Sequence, residues 1–327
     1  MNEPRNSGKV PSVWALLDDR AGNRSQCLGV AEALGHRFLI QDLEYVAAAG
    51  LPNFFLGATF GGLTPSSRIN LVPPWPDLVI AAGRRTAPIA RKIKKDSGGT
   101  AKLVQIMYPG DAGAEDFDLI AAPRHDGLAP KPNILQITGA PHRVTAEKLE
   151  QAAAEWAGKF DHLPRPWIAL VVGGSTRRRT FTPEMARELG RTASDMAVDA
   201  GGSLLVTTSR RTGDAEPALL EQLKAPHHLY RWGDTGDNPY FGYLALADTV
   251  IVTGDSVSMA CESSARTGPV YIYAPEGLPT RRHAKLLNEL FEKGYARPLG
   301  GRFEDWTHEP LNAAADIAAE IRRRFGY

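Results

Sequence analysis

The chain has 327 residues, which suits two domains of about 100–200 residues each. Its 38 basic and 37 acidic residues leave a net charge of +1, so bulk charge points to no nucleic-acid partner. Two cysteines, Cys27 and Cys261, exclude a disulfide framework and read as thiols of a reducing, cytoplasmic compartment.

Met1–Pro11 is polar and lacks the apolar stretch of a secretory signal. No apolar run reaches the roughly 18 residues of a membrane-spanning helix. The chain then repeats one pattern: a short apolar run, a glycine-rich or polar turn, and an amphipathic helix. That is the signature of a parallel sheet flanked by helices. The first unit is Val13–Leu17, a turn at Asp18–Asn23, and a helix over Ser25–Leu34. Strands follow at Arg37–Ile40, Leu78–Ala82, Ala101–Met107, Asp118–Ala122 and Leu135–Ile137, with helices over Thr86–Lys95 and Thr145–Phe160.

Pro164-Arg165-Pro166 reads as a stiff hinge, which puts the first domain at residues 1–163. The second domain, residues 164–310, restarts the pattern. Its strands are expected at Trp167–Val172, Ser203–Thr207, Leu229–Arg231, Thr249–Thr253 and Val270–Tyr273. The helix over residues 311–327 is expected to pack back on the first domain.

Ligands of open α/β sheets bind beyond the carboxyl ends of the strands, so the turns there carry the functional signal. Gly173-Gly174-Ser175 lets backbone N–H groups approach a phosphate, or is simply a tight turn. Ser209-Arg210-Arg211-Thr212 places two guanidiniums and two hydroxyls at a strand end, suited to a diphosphate or to solvent. Asp255, Ser256 and Ser258 open a helix on which Glu262 stands one turn later. Glu262 can accept from a vicinal diol such as a ribose; the alternative is an N-cap serine with an ordinary first-turn glutamate. One nucleoside diphosphate spread over all three loops accounts for them together.

The stretch from Asn238-Pro239-Tyr240 through Glu262 to Gly268-Pro269-Val270 resembles the donor-binding region of GT-B glycosyltransferases, among them the peptidoglycan N-acetylglucosaminyltransferase. Over most of the chain, Gly22-Asn23-x-x-Gln26-x-x-Gly29, Gly83-Arg84-x-Thr86-Ala87, Gly173-Gly174 and the Thr253–Glu262 segment resemble the mitochondrial fission factor family of plants and its bacterial relatives. These resemblances imply two Rossmann-like domains facing a cleft, with a nucleotide-sugar donor on the second and an acceptor, a lipid or cell-envelope glycan, on the first. They imply sugar transfer without a metal or other cofactor, since no Asp-x-Asp motif stands in the position usual for metal-dependent enzymes. Asp19, with Asp18 beside it, falls where inverting members carry their general base. Asn23, Gln26, Arg84 and His125 are then candidates for the acceptor side.

The plant family's role in organelle division implies an alternative, a non-catalytic scaffold on the same fold. A nucleotide-sugar epimerase, which shares the two-lobe architecture, is a further alternative; it needs acid and base carboxylates on both sides of the sugar, and Glu115, Asp116 and His125 are too weakly placed to supply them. Phe54, Phe55 and Phe60 read as a buried helix and loop, or as a patch touching the inner membrane from the cytoplasmic side.

Overall fold

The computed structural model describes residues 10–300 and 302–327. Most of the polar Met1–Pro11 stretch therefore lies outside the described residues. The chain divides into two compact units, Met1–Arg143 with Asn312–Tyr327, and Val144–Leu311.

The first unit is built on six parallel strands: β1 (Val13–Leu17), β2 (Phe38–Asp42), β3 (Leu78–Ala82), β4 (Lys102–Ile106), β5 (Leu119–Pro123) and β6 (Ile134–Ile137). Their order across the sheet is β2-β1-β3-β4-β5-β6. The side-chain period of two sends Val13, Ala15 and Leu17 to one core and Trp14 and Leu16 to the other. Helix Ala21–Leu34 and the terminal helix Ala313–Phe325 cover the first face; helix Ala87–Asp96 covers the second. Burial on both faces explains why β1 and β3 are wholly apolar rather than alternating.

The second unit has the strands β7 (Trp167–Val172), β8 (Ser203–Thr208), β9 (His227–Tyr230), β10 (Thr249–Thr253), β11 (Val270–Tyr273) and β12 (Arg297–Pro298). They run parallel in the order β12-β11-β10-β7-β8-β9. Counted from β7, this is the strand order of a Rossmann sheet.

The domain boundary expected at residue 163 is corrected to Arg143–Val144. Helix Ala146–Glu155 packs on helix Tyr240–Leu246. Trp156 stacks on Phe160 at 5.7 Å, and Phe160 meets Trp167, His228 and Tyr243. A Cβ on Gly242 would lie 2.5 Å from Trp156 Cγ, so the glycine admits the indole. The prolines mark the entry to β7, not a break between units. The terminal helix packs on helix Ala21–Leu34, where Arg322 donates to the carbonyls of Ala33 and Leu34 at 2.7 and 2.9 Å. A cation there meets the unsatisfied carbonyls of a helix end.

Candidate functional site

In each sheet the strand order reverses once, and a crevice is expected there beyond the strand ends. In the first unit the reversal lies between β1 and β3, and in the second between β7 and β10. Both reversals gather residues singled out above.

In the first unit, Asp18 follows β1 and is buried at 2% exposure. It accepts from Asn23 Nδ2 at 2.7 Å and from the Arg20 N–H at 3.2 Å. Arg85, in the loop after β3, pairs with both Asp18 and Asp19. Its guanidinium lies 4.2 Å from the centroid of the Tyr45 ring. Gly83 is required here: its φ is +90°, and a Cβ would stand 2.4 Å from Asn23 Nδ2. Asp19 is the exposed member, and its hydrogen bonding with Asp18 and Arg85 holds its carboxyl below the usual range. Burial pushes the Tyr45 phenol up, and its hydroxyl is buried without a hydrogen-bond partner.

Two of the acceptor-side candidates, Arg84 and His125, have these surroundings. Arg84 gives its donors to the carbonyls of Ala49, Gly50 and Leu51 and to Asn53 Oδ1. It braces that segment, and Arg85 is the arginine beside the carboxylates. His125 follows β5, three strands along from β1, or about 14 Å at the usual strand spacing. Its ring lies 3.7 Å from Asp126, and the structure does not bring it to Asp18. Helix Ala21–Leu34 starts four residues earlier than expected, so Asn23 and Gln26 both stand on it. Gln26 is buried with Oε1 unpartnered. Asn23 is occupied by Asp18.

Phe54 and Phe55 are 77% and 73% exposed, on a short helix fixed by the buried Asn53, which donates to the Arg84 and Pro109 carbonyls. Phe60 is half-buried against the core, with the Lys92 ammonium over its ring.

In the second unit the glycine turn and the loops after β8 and β10 converge. Ser209 Oγ and Thr212 Oγ1 donate to the Gly173 carbonyl at 2.6 and 2.7 Å. Asp255, 1% exposed, accepts from the Gly174 N–H at 3.0 Å and pairs with Arg211. A Cβ on Gly173 would lie 2.5 Å from both Asp255 oxygens, and one on Gly174 would lie 2.1 Å from the Arg211 carbonyl oxygen. The turn's N–H groups are not open, contrary to expectation: Gly173 donates to Thr253 Oγ1 and Ser175 to the Arg211 carbonyl. Asp255 is thus an internal anion at the place foreseen for a phosphate. Ser256 caps its helix, accepting from the Met259 N–H at 3.4 Å, and Ser258 stands in the first turn.

His283 comes within electrostatic reach of Asp255 and Arg211 without any sequence signal, because its place depends on helix Arg281–Glu292 packing near Gly254, where a Cβ would meet Leu287 at 2.8 Å. Burial keeps the His283 imidazole below the usual histidine range, against the pull of Asp255. Its Nδ1 is buried and unpartnered. Three arginines directly after the glycine turn, Arg177, Arg178 and Arg179, also went unassigned from sequence. They sit on a tight hairpin closed by Thr176 and Arg179, and all three are exposed.

Glu262 accepts from the Tyr240 hydroxyl at 2.7 Å. Burial raises its carboxyl, and the tyrosine bond opposes that rise. A carboxyl raised on folding favours the folded state most when protonated; its contribution is complete below the ordinary range and fades as pH climbs through the raised value. Glu262→Gln keeps an oxygen for Tyr240 and removes the buried charge. In urea denaturation it should therefore gain on wild type between pH 4 and pH 7. Equal pH slopes for the two proteins would remove the buried-carboxylate account.

Among the described residues, no three His, Cys, Asp or Glu side chains gather to hold a metal ion. Nor is any described helix long and apolar enough to cross a membrane.

Two parallel six-stranded sheets flanked by helices, each with polar loops at its reversal, define a protein of the GT-B type. A family model described as Mitochondrial fission ELM1 matches residues 21–325, and the chain belongs to that family. One relative is the Mitochondrial fission protein ELM1 of Arabidopsis thaliana, 27% identical over 294 residues, 82% of this chain and 68% of the relative. MurG of Acinetobacter baumannii superposes with a TM-score of 0.52 at 14% identity, covering 95% of this chain and 99% of that one. A Listeria monocytogenes protein assigned as a UDP-N-acetylglucosamine 2-epimerase gives 0.54 at 12% identity, covering 96% of each chain. At these identities the two solved structures share the fold.

Proposed function

We propose that this chain is a glycosyltransferase-like protein that takes a nucleoside diphosphate sugar on its second unit and passes the sugar to an acceptor hydroxyl. The observation that carries this is the convergence of three strand-end loops at the reversal of a Rossmann-ordered sheet. In this reading Glu262 accepts from a ribose diol, and the exposed Arg210 meets diphosphate charge. Asp19 is the base for the acceptor proton. No metal or other cofactor is assigned a part. The exposed Phe54–Phe55 pair has a place in this reading, as contact with a membrane carrying a lipid acceptor.

A second reading, binding without turnover, is favoured by Arg85. A general base works best with a pKa near the operating pH, and Arg85 helps hold Asp19 below the usual carboxylate range. The family's description as a mitochondrial fission factor agrees with it.

Calorimetry with UDP, GDP and ADP, followed by donor turnover with and without acceptor lipids, tests both. The transferase reading expects binding, turnover, and loss of turnover in Asp19→Asn. Binding with no turnover selects the second reading, and sugar isomerisation without any acceptor selects an epimerase. If none of the nucleotides binds and Glu262→Ala changes nothing, both nucleotide readings fall.

A further inference from the structure

We propose that diphosphate recognition in the second unit is carried by the arginines of the 176–179 hairpin together with Arg210, in place of the glycine turn's own N–H groups. The proposal deepens the nucleotide-sugar reading and rests on it.

The glycine turn is already satisfied. Gly173, Gly174 and Ser175 donate to Thr253, Asp255 and the Arg211 carbonyl, so none of these three N–H groups is open to a ligand. The anion in the turn is Asp255, and Arg211 is neutralised by it. A phosphate pressed into the same place would meet a buried carboxylate. A ligand phosphate must therefore lie further out, where uncompensated positive charge stands.

Arg177, Arg178, Arg179 and Arg210 supply that charge. All four are exposed, and their guanidiniums make no hydrogen bond or ion pair among the described residues. The backbone holds them together. Ser175 donates to the Arg211 carbonyl at 2.8 Å, which ties the start of the hairpin to the loop bearing Arg210. Thr176 donates to the Arg179 carbonyl at 2.8 Å and its hydroxyl accepts from the Arg178 N–H at 3.4 Å, which fixes the turn. Ser175 Oγ accepts from the Phe181 N–H at 3.0 Å and anchors the returning limb. Four guanidinium forks on two tied loops, beyond β7 and β8, match the several oxygens of a diphosphate. A single phosphate has too few oxygens to engage them all. A nucleoside diphosphate is therefore expected to bind more tightly than the monophosphate.

The test is calorimetry of the full chain with UDP, UMP and inorganic pyrophosphate at two salt concentrations. The variants are the triple Arg177→Ala/Arg178→Ala/Arg179→Ala and the single Arg210→Ala. These side chains are exposed and unpartnered, so unchanged thermal denaturation checks that the variants fold. The expected result is UDP affinity at least about tenfold weaker in each variant, with a shallower salt dependence in the triple. If wild type binds UDP and both variants match it, the arginine clamp is overturned and the nucleotide reading stands. If pyrophosphate binds through these arginines while neither UDP nor UMP binds, the clamp stands and the nucleotide reading falls. If wild type binds none of the three, both fall.

Discussion

Arg85→Leu should destabilise the first unit by about 3 kcal/mol, the scale of stripping one partner from a buried ion pair. Asp18 is 2% exposed and would keep only the Asn23 amide and the Arg20 N–H. Arg85 also fills the space over Tyr45, which leucine covers only in part. Hydrogen exchange of the β1 and β3 amides isolates this unit from the other, which a whole-chain melting curve does not. Adding Asp18→Asn removes the stranded charge and should recover about half of the loss. If the double variant is worse than Arg85→Leu alone, the ion pair is not what holds the loops. A carboxyl lowered on folding lends stability where it is ionised, and that stability is lost as pH falls through the lowered value. Asp19 is such a group. The wild-type advantage should therefore shrink below about pH 4, the ordinary range of an aspartate.

Gly174→Ala should cost the second unit about 3 kcal/mol or more, through backbone strain and a backbone clash together. The residue holds φ +142°, and its Cβ would stand 2.1 Å from a carbonyl oxygen that cannot swing away. That carbonyl accepts from Ser175, so displacing it pulls the loop after β8 off the glycine turn. Gly173→Ala meets a side chain instead, the Asp255 carboxylate. Gly173→Ala with Asp255→Gly should thus be milder than Gly173→Ala combined with the loss expected for Asp255→Gly alone, whereas Gly174→Ala has no such partner. Hydrogen exchange over β7 and β8 measures the first effect, and UDP calorimetry reads the loss of the site. A Gly174→Ala protein within 1 kcal/mol of wild type by that measure, roughly the scatter of surface changes, would sink the account.

The fold was largely legible because buried parallel strands announce themselves. Val13–Leu17, Leu78–Ala82, Trp167–Val172, Thr249–Thr253 and Val270–Tyr273 fall where apolar runs place them, each closed by a polar or glycine turn. β12 was not, since two residues of an exposed edge carry no pattern. The Pro164–Pro166 boundary misled because prolines mark a local chain direction, while a unit is defined by what Trp156 and Phe160 touch. The second unit's loops were legible as loops. Their internal wiring was not: whether an aspartate at a strand end waits for a ligand or occupies the ligand's place depends on the chain's own N–H groups. Arg84 and Arg85 show the same limit, being adjacent in sequence and opposite in role.

The first unit is discontinuous along the chain, and this bears on its birth at the ribosome. Ala313, Ala314, Ile317, Ala318 and Ile321 complete the same core as Cys27, Val30 and Leu34. During synthesis that face stays bare until the last turn of the terminal helix has emerged. The contiguous second unit, Val144–Leu311, has all of its residues in hand earlier. Maturation is thus expected to run backwards relative to translation, with the early strands waiting on the tail, a window in which a holding chaperone has an apolar face to grip.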